Sequence, residues 1–534
     1  MDRRTLFAIA LCFVIFVFWQ KMYVDPRLPK RPGIELSTPQ EGRQAESSVS
    51  AAKATTISTE ILPVKEAGAI RYKEMAEGLS SIEIPLSTGS VQSGSQNAAF
   101  VGWNLKDYHV GLGQDAPTVD VKGITLQNSQ AEFAVDAPEY SYLNSVSGYL
   151  TKNDRGAIWF YEDPNVKITR EISGSEGQPF VDVRFKAEFK TKRPSFAFIS
   201  LGLRGPEKDP EAHDRQLVYW ANKEISRVAL SDISLKDVPG PVKWVGVTTR
   251  YFVTALIPQG EARGLVQPLG VNTGRVSLVY PINQPNIEIP VRIFFGPKNL
   301  ELLRSIEPTL DHTVDFGWFT IFAYPMLKIM KWFYHLFHNY GVSIIFLTLF
   351  VNLITTPLTY KSMKSMKEMA KLQPQLQRLK DKYKDDKEAL NREMLLMMKS
   401  HGYNPMAGCL PIFIQMPIFF ALYRVLYGSI ELYQAPFMLW IKDLSAKDPY
   451  YVTPILLTLA MYGSQKLTPT TTTDPAQAKM MQFMPLMFGF FMVTLPSGLA
   501  VYMLVNSLAS IVRQMILNRK LSPDHVSAIP ARAR

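Results

Sequence analysis

Met480–Leu517 reads MMQFMPLMFGFFMVTLPSGLAVYMLVNSLASIVRQMIL, 38 residues without one carboxylate. As a single helix it would be about 57 Å long at about 1.5 Å per residue, nearly twice the roughly 30 Å of bilayer hydrocarbon. Pro496-Ser497-Gly498 falls inside the run. Proline interrupts a helix and glycine favours a turn. The segment therefore predicts two membrane spans, 480–495 and 498–517, joined by a tight turn.

Similar apolar runs precede it at 451–466, 409–430 and 341–360, and another lies within residues 1–24. The expectation is a membrane α-helical fold with six spans. In the first, Arg3 and Arg4 precede the apolar run and no small-x-small site follows, which predicts an uncleaved signal-anchor. Residues 25–57, rich in Pro, Ser, Thr and Gln, read as a flexible linker. Residues 318–337 set Lys328 and Lys331 among aromatic rings and read as an amphipathic helix at the membrane interface.

The net charge of +11 raises nucleic acid as a partner, but its distribution argues for membrane topology. Eleven Lys and Arg fall in 361–399, whereas 431–450 holds only Lys442 and Lys447. The positive-inside rule then makes 361–405 and the 518–534 tail cytoplasmic, with both termini on that side. Residues 361–405 read as a cytoplasmic helical hairpin of about 361–383 and 387–400. Met363, Met366, Met369, Met394, Met397 and Met398, with Lys371, offer it an adaptable contact surface, or else pack it together. A helix of 14–16 residues covers only about 21–24 Å, so several spans predict local membrane thinning.

Residues 58–310 follow another rule. Val181, Val183, Phe185, Ala187 and Phe189 alternate with charged residues, and Ile287, Ile289, Val291 and Ile293 repeat the pattern. Further strands are expected at 156–173, 195–203, 215–220, 243–257 and 275–281, with a short helix near 299–306. Many short strands between turn residues predict an all-β antiparallel sandwich. The two cysteines, Cys12 and Cys409, lie outside it, so no disulfide framework holds it. His109 and His213 stand alone, and no nucleophile elbow, phosphate loop or metal spacing occurs. An enzyme is not expected.

Polar side chains inside spans normally face protein or a wet cavity. Thr348, Asn352, Gln415, Arg424, Tyr502 and Asn506 are such residues. Seven collinear stretches surround them: DHTVDFGW (311–318), NPMAGCLP (404–411), QMPIF (415–419), ELYQAPF (431–437), WIKDLS (440–445), DPYY (448–451) and PSG (496–498). On these the chain resembles the YidC family of bacterial membrane protein insertases, part of the wider YidC/Oxa/Alb family, in its Gram-negative type. The resemblance implies a five-helix insertase core behind the signal-anchor and a periplasmic β-supersandwich. It implies an inner-membrane insertase and chaperone that works without cofactor, alone or with the Sec translocon, and suffices as a monomer. Its partners would be nascent inner-membrane proteins and membrane lipids, with the ribosome or signal recognition pathway as further candidates.

The resemblance also implies that Thr348, Asn352, Gln415, Arg424, Tyr502, Met503 and Asn506 line a hydrophilic groove open to cytoplasm and lipid. Relatives usually carry an arginine at the position matched by Asn352 and often an aromatic at Met503. Arg424 is the candidate to replace that charge, and it equally fits snorkelling or pairing with a phosphate. The competing class, a membrane-tethered sugar-binding or epimerase-like protein, rests on the supersandwich and leaves the spans unexplained. A transporter would need intramembrane carboxylates or an internal repeat, and neither is present in the spans.

Overall fold

The computed structural model describes residues 80–95, 100–112, 116–120, 125–204, 214–238, 240–383, 386–400, 410–468 and 475–520. The predicted anchor (1–24), the linker (25–57), the β domain before residue 80, Cys12, Cys409, His213 and the tail after 520 lie outside the described residues. The chain divides into two compact units, one ending at Thr313 and the other beginning at Val314.

The first unit is built on β-strands, and every strand pair among its described residues is antiparallel. A nine-stranded sheet runs in the order Glu224–Ala229, Gln216–Ala221, Val242–Thr248, Phe252–Pro258, Asn286–Pro297, Phe180–Phe189, Val166–Ser173, Gly156–Glu162, Tyr149–Asn153. A five-stranded sheet (Lys236–Val238, Arg263–Gly270, Thr273–Pro281, Phe196–Arg204, Thr125–Val135) faces it, and a four-stranded sheet spans Ser81–Asp120.

The alternation at 180–189 places Val181, Val183, Phe185, Ala187 and Phe189 in the core while the charged partners face out. Burying each large apolar side chain stabilises by about 1.5–3 kcal/mol. Phe185 stacks on Phe133 of the facing sheet at 5.7 Å, and Trp103 of the four-stranded sheet meets Phe295 edge-on at 6.0 Å. These contacts make the layers a sandwich.

Two of the expected strands are each a hairpin. The 156–173 run bends because Asp163 Oδ1 accepts from the Asn165 and Val166 amides, both at 2.7 Å. The 243–257 run turns where the Thr249 amide donates to Phe252 O at 2.9 Å. Helix α1 (Leu300–Ile306) closes the unit, its first amides capped by Asn299 Oδ1.

The second unit is helical: α2 (Thr320–Phe337), α3 (Tyr340–Lys371), α4 (Gln373–Lys382), α5 (Lys387–Ser400), α6 (Leu410–Gly428), α7 (Val452–Leu467), α8 (Pro475–Met492) and α9 (Ser497–Lys520). Helices α3, α6 and α9 pack on one another; α2 lies against α3 and α6, α7 against α9, and α8 against α7. Ala323, Met326, Leu327 and Met330 form the buried stripe of α2, leaving Trp318, Ile321 and Trp332 exposed.

Three boundaries differ from expectation. Helix α3 does not stop at 360 but continues to Lys371, because nothing in 361–371 breaks it. The first arm of the hairpin is therefore the end of α3 followed by α4, with the break at Leu372 just before Pro374, whose missing N–H suits a helix's first turn. Helix α8 already ends at Met492, and turn hydrogen bonds at 493–495 precede Pro496.

Candidate functional site

Helix α9 is the axis of the site. Tyr502, Asn506 and Arg513 recur at helical spacing and share one face, while Ser510 and Gln514 lie on the face toward α7. Ile344 of α3 stands beside Gly498, and Asn352 beside Asn506, so α3 and α9 run parallel.

The α3 contribution begins at Thr348, fully buried, whose hydroxyl donates to Ile344 O at 2.6 Å. Asn352 is the junction. Its amide donates to Thr348 O at 2.8 Å and to Asn506 Oδ1 at 3.1 Å, and its Oδ1 accepts from Arg513 Nη1. Thr355, Thr356 and Thr359 turn their hydroxyls back onto carbonyls of the same helix. That habit satisfies polar groups where water is scarce. On the α6 side, Gln415 Nε2 donates to the Tyr502 hydroxyl at 2.9 Å, and Tyr502 is buried. Met503 is half-buried on α9.

All seven expected groove residues thus lie on α3, α6 and α9, and five of them are joined in two hydrogen-bonded groups. Arg424 stands apart from these groups, one turn from the far end of α6, with its Nη2 4.0 Å from where a Cβ on Gly317 would be. Sequence reasoning missed Arg513, which the Tyr502/Asn506 stripe would have pointed to. It also missed a second polar seam, where Gln514 Nε2 donates to Ser464, Thr468 and Ser510 hydroxyls at 3.2, 2.9 and 3.3 Å and ties α7 to α9.

Proline shapes the rim of the unit. Pro485 within α8 frees the carbonyl of Met481 from its helical partner, and Gln465 of α7 donates to that carbonyl. Further along the same pair, Gly489 packs against Thr458, and Pro454, Ile455, Leu459, Phe483 and Phe490 line an apolar groove of about 720 Å³. The loop between α6 and α7 is rigidly fastened. Asp448, 2% exposed, accepts from the Tyr450 amide at 3.0 Å and from the Thr453 amide at 2.7 Å and hydroxyl. Ser497 and Gly498, which begin α9, donate their amides to Ala446 O and Leu444 O at 2.7 and 2.9 Å.

In the hairpin, Leu372 and Leu376 are buried, and Met363, Met366, Met394 and Met397 are half-buried. The side chains of Met369, Lys371 and Met398 lie outside the described residues. Among the described residues, no cluster of three metal-ligating side chains forms. The site is a buried, hydrogen-bonded polar seam between helices whose outer faces are apolar: Leu353 and Ile354 on α3 and Val512 and Ile516 on α9 are at least half exposed.

A family profile described as "60Kd inner membrane protein" matches residues 332–524, and one described as "YidC periplasmic domain" matches 150–329. A protein of Geobacter metallireducens named "Membrane protein insertase YidC" is 32% identical over 98% of this chain and 99% of its own. One of the same name from Maridesulfovibrio salexigens is 30% identical over 97% and 99%. A solved structure titled an active YidC insertase with its first transmembrane domain resolved aligns over 82% of this chain and 92% of its own, at 20% identity and a TM-score of 0.36.

Proposed function

The chain belongs to the YidC family of membrane protein insertases, and we infer that it inserts and helps fold proteins of the bacterial inner membrane. The observation that supports this most directly is the polar seam of Asn352, Asn506, Gln415 and Tyr502 between helices with apolar outer faces. A substrate's polar segment enters the seam while its apolar segment slides along the outer wall. Moving one charge through the bilayer centre costs at least about 2.5–3.5 kcal/mol. A wet groove that reaches part-way across lowers that cost, and burial of the substrate's own apolar helix drives the process. No nucleotide and no catalytic residue are required.

The reading extends to topology. The six-span arrangement, with a five-helix core, cytoplasmic termini and a periplasmic β unit, is supported by the lysine-rich α3–α5 region and by two described helices, Tyr340–Met366 and Ser497–Ile516, long and apolar enough to cross a bilayer. Helix α2, apolar and aromatic on its exposed side, suits the membrane interface. Helix α7 has 16 residues, about 24 Å, which supports a locally thinned bilayer. The hairpin methionines would meet nascent chains or a targeting partner, and the unit works as a monomer, alone or beside the Sec translocon.

The test is insertion of a small single-span substrate with a short tail into proteoliposomes holding only this protein. Protein-dependent protection of the tail from protease is expected; protection no greater than in empty liposomes refutes autonomous insertion.

A further inference from the structure

The structure brings an arginine of α9 to Asn352, at the centre of the polar seam. Arg513 of α9 donates through Nη1 to Asn352 Oδ1, and Asn352 is fixed in turn by Thr348 O and Asn506 Oδ1. The direction of the Arg513 side chain is informative. Asn506 is level with Asn352, so the Arg513 backbone lies about 10 Å beyond that level toward the end of α9. A snorkelling arginine extends toward the nearer end of its helix. Arg513 instead reaches back toward the middle, into the polar seam.

Its charge is also uncompensated. No carboxylate pairs with Arg513 among the described residues, and its buried Nε–H has no acceptor. Helices α6, α7, α8 and α9 contain no acidic residue, and α3 has none from Tyr340 to Lys367. A half-buried guanidinium with a spare donor, held by one neutral amide, is an incomplete site for a carboxylate, because a charge-assisted bidentate bond would satisfy both the charge and the orphaned N–H.

We propose that Arg513 is the substrate-reading cation of this chain, held by Asn352, which Asn506 holds in turn, and that it selects substrate segments carrying Asp or Glu. The assignment rests on the insertase reading and places the seam's charge on α9. Asn352 is then the residue that orients the arginine rather than a gap in the site, and an arginine at 352 would place two like charges against each other.

The experiment is proteoliposome insertion of two matched single-span substrates, one with two Asp in its translocated tail and one with two Asn, scored as the ratio of protected tails. Arg513→Gln is expected to lower the acidic-to-neutral ratio about tenfold, the loss of one charge-assisted contact, while the neutral tail inserts as before. Arg519→Gln, which removes an exposed cation six residues further along the same helix, is expected to leave the ratio unchanged. The double exchange Asn352→Arg/Arg513→Gln is expected to restore it. An unchanged ratio in Arg513→Gln, an equal loss of both tails, or a fall seen with Arg424→Ala instead overturns the assignment. Failure of the unaltered protein to protect either tail refutes the insertase reading, and this assignment with it.

Discussion

Replacing Asp448 by Ala is expected to loosen the junction of α6, α7 and α9 by about 3 kcal/mol. The carboxylate accepts three hydrogen bonds in a nearly solvent-free pocket: the Thr453 amide at 2.7 Å, the Thr453 hydroxyl and the Tyr450 amide at 3.0 Å. Hydrogen bonds to a charged group contribute roughly 1.5–3 kcal/mol each, and relief of the buried charge offsets part of their sum, which leaves the figure of about 3 kcal/mol. For a helical unit of this size that corresponds to a fall in Tm of about 6–12 °C.

The pH dependence is a sharper sign of the same interaction. Burial pushes the Asp448 carboxyl up, but the Thr453 hydroxyl and the Thr453 and Tyr450 amides outweigh it and hold the group below the usual carboxylate value. As pH falls, the unfolded chain takes up the proton first. The stabilisation is therefore complete above the ordinary carboxylate pKa of about 3.9 and is lost as pH drops through the lower folded value. Asp448→Asn keeps the shape without the titration, so the gap between its Tm and that of the unaltered protein should hold above about pH 4 and narrow as the pH falls below it. The assay is helical circular dichroism in detergent at one scan rate, since such unfolding is commonly irreversible. An Asp448→Ala protein melting within about 1 °C of the original, or parallel pH curves for the original and Asp448→Asn, would refute the reasoning.

Other outcomes follow from single contacts. An alanine at Gly489 would place its Cβ 1.8 Å from Thr458 Oγ1, whose hydroxyl is engaged with Pro454 O at 2.8 Å; α8 should move off α7 at a cost of about 1–3 kcal/mol, visible as a lower Tm. Tyr502→Phe removes the acceptor for Gln415, and a double-mutant cycle with Gln415→Leu should give a coupling of about 0.5–1.5 kcal/mol. In the β unit, Ser200 and Ser277 hydroxyls share a buried bond of 2.8 Å. Ser200→Ala alone should cost about 1–3 kcal/mol, whereas Ser200→Ala/Ser277→Ala should be closer to the original; additive losses in melting experiments would count against the pairing.

Most of the secondary structure is legible in the sequence because two periodicities are. Alternation at 180–189 and 287–293 marks strands buried on one face, and the apolar runs around 341–360 and 480–517 mark long helices. The deviations have local causes that a hydropathy pattern does not carry. The hairpin inside 156–173 depends on one Asp163 side chain, and the start of α4 on Pro374. The polar residues of the seam stand out equally, since each is an expensive residue in a lipid-like run.

Their partnerships are not. Asn352 and Arg513 lie 161 positions apart, and Asp448 meets the start of α7 while its loop meets the start of α9. The pattern in α9 places Tyr502, Asn506 and Arg513 on a common face because an α-helix repeats every 3.6 residues. That regularity holds for the isolated helix and is independent of its neighbours. Which helix the face meets, at what level, and whether the arginine turns toward the membrane's edge or back into the seam are settled only when α3, α6 and α9 pack. The sequence by itself therefore determined the elements, the membrane character and the polar inventory. The tertiary structure decided which polar groups satisfy one another and which cation is left without a counter-charge, because hydrogen bonds and ion pairs depend on distances that no local pattern encodes.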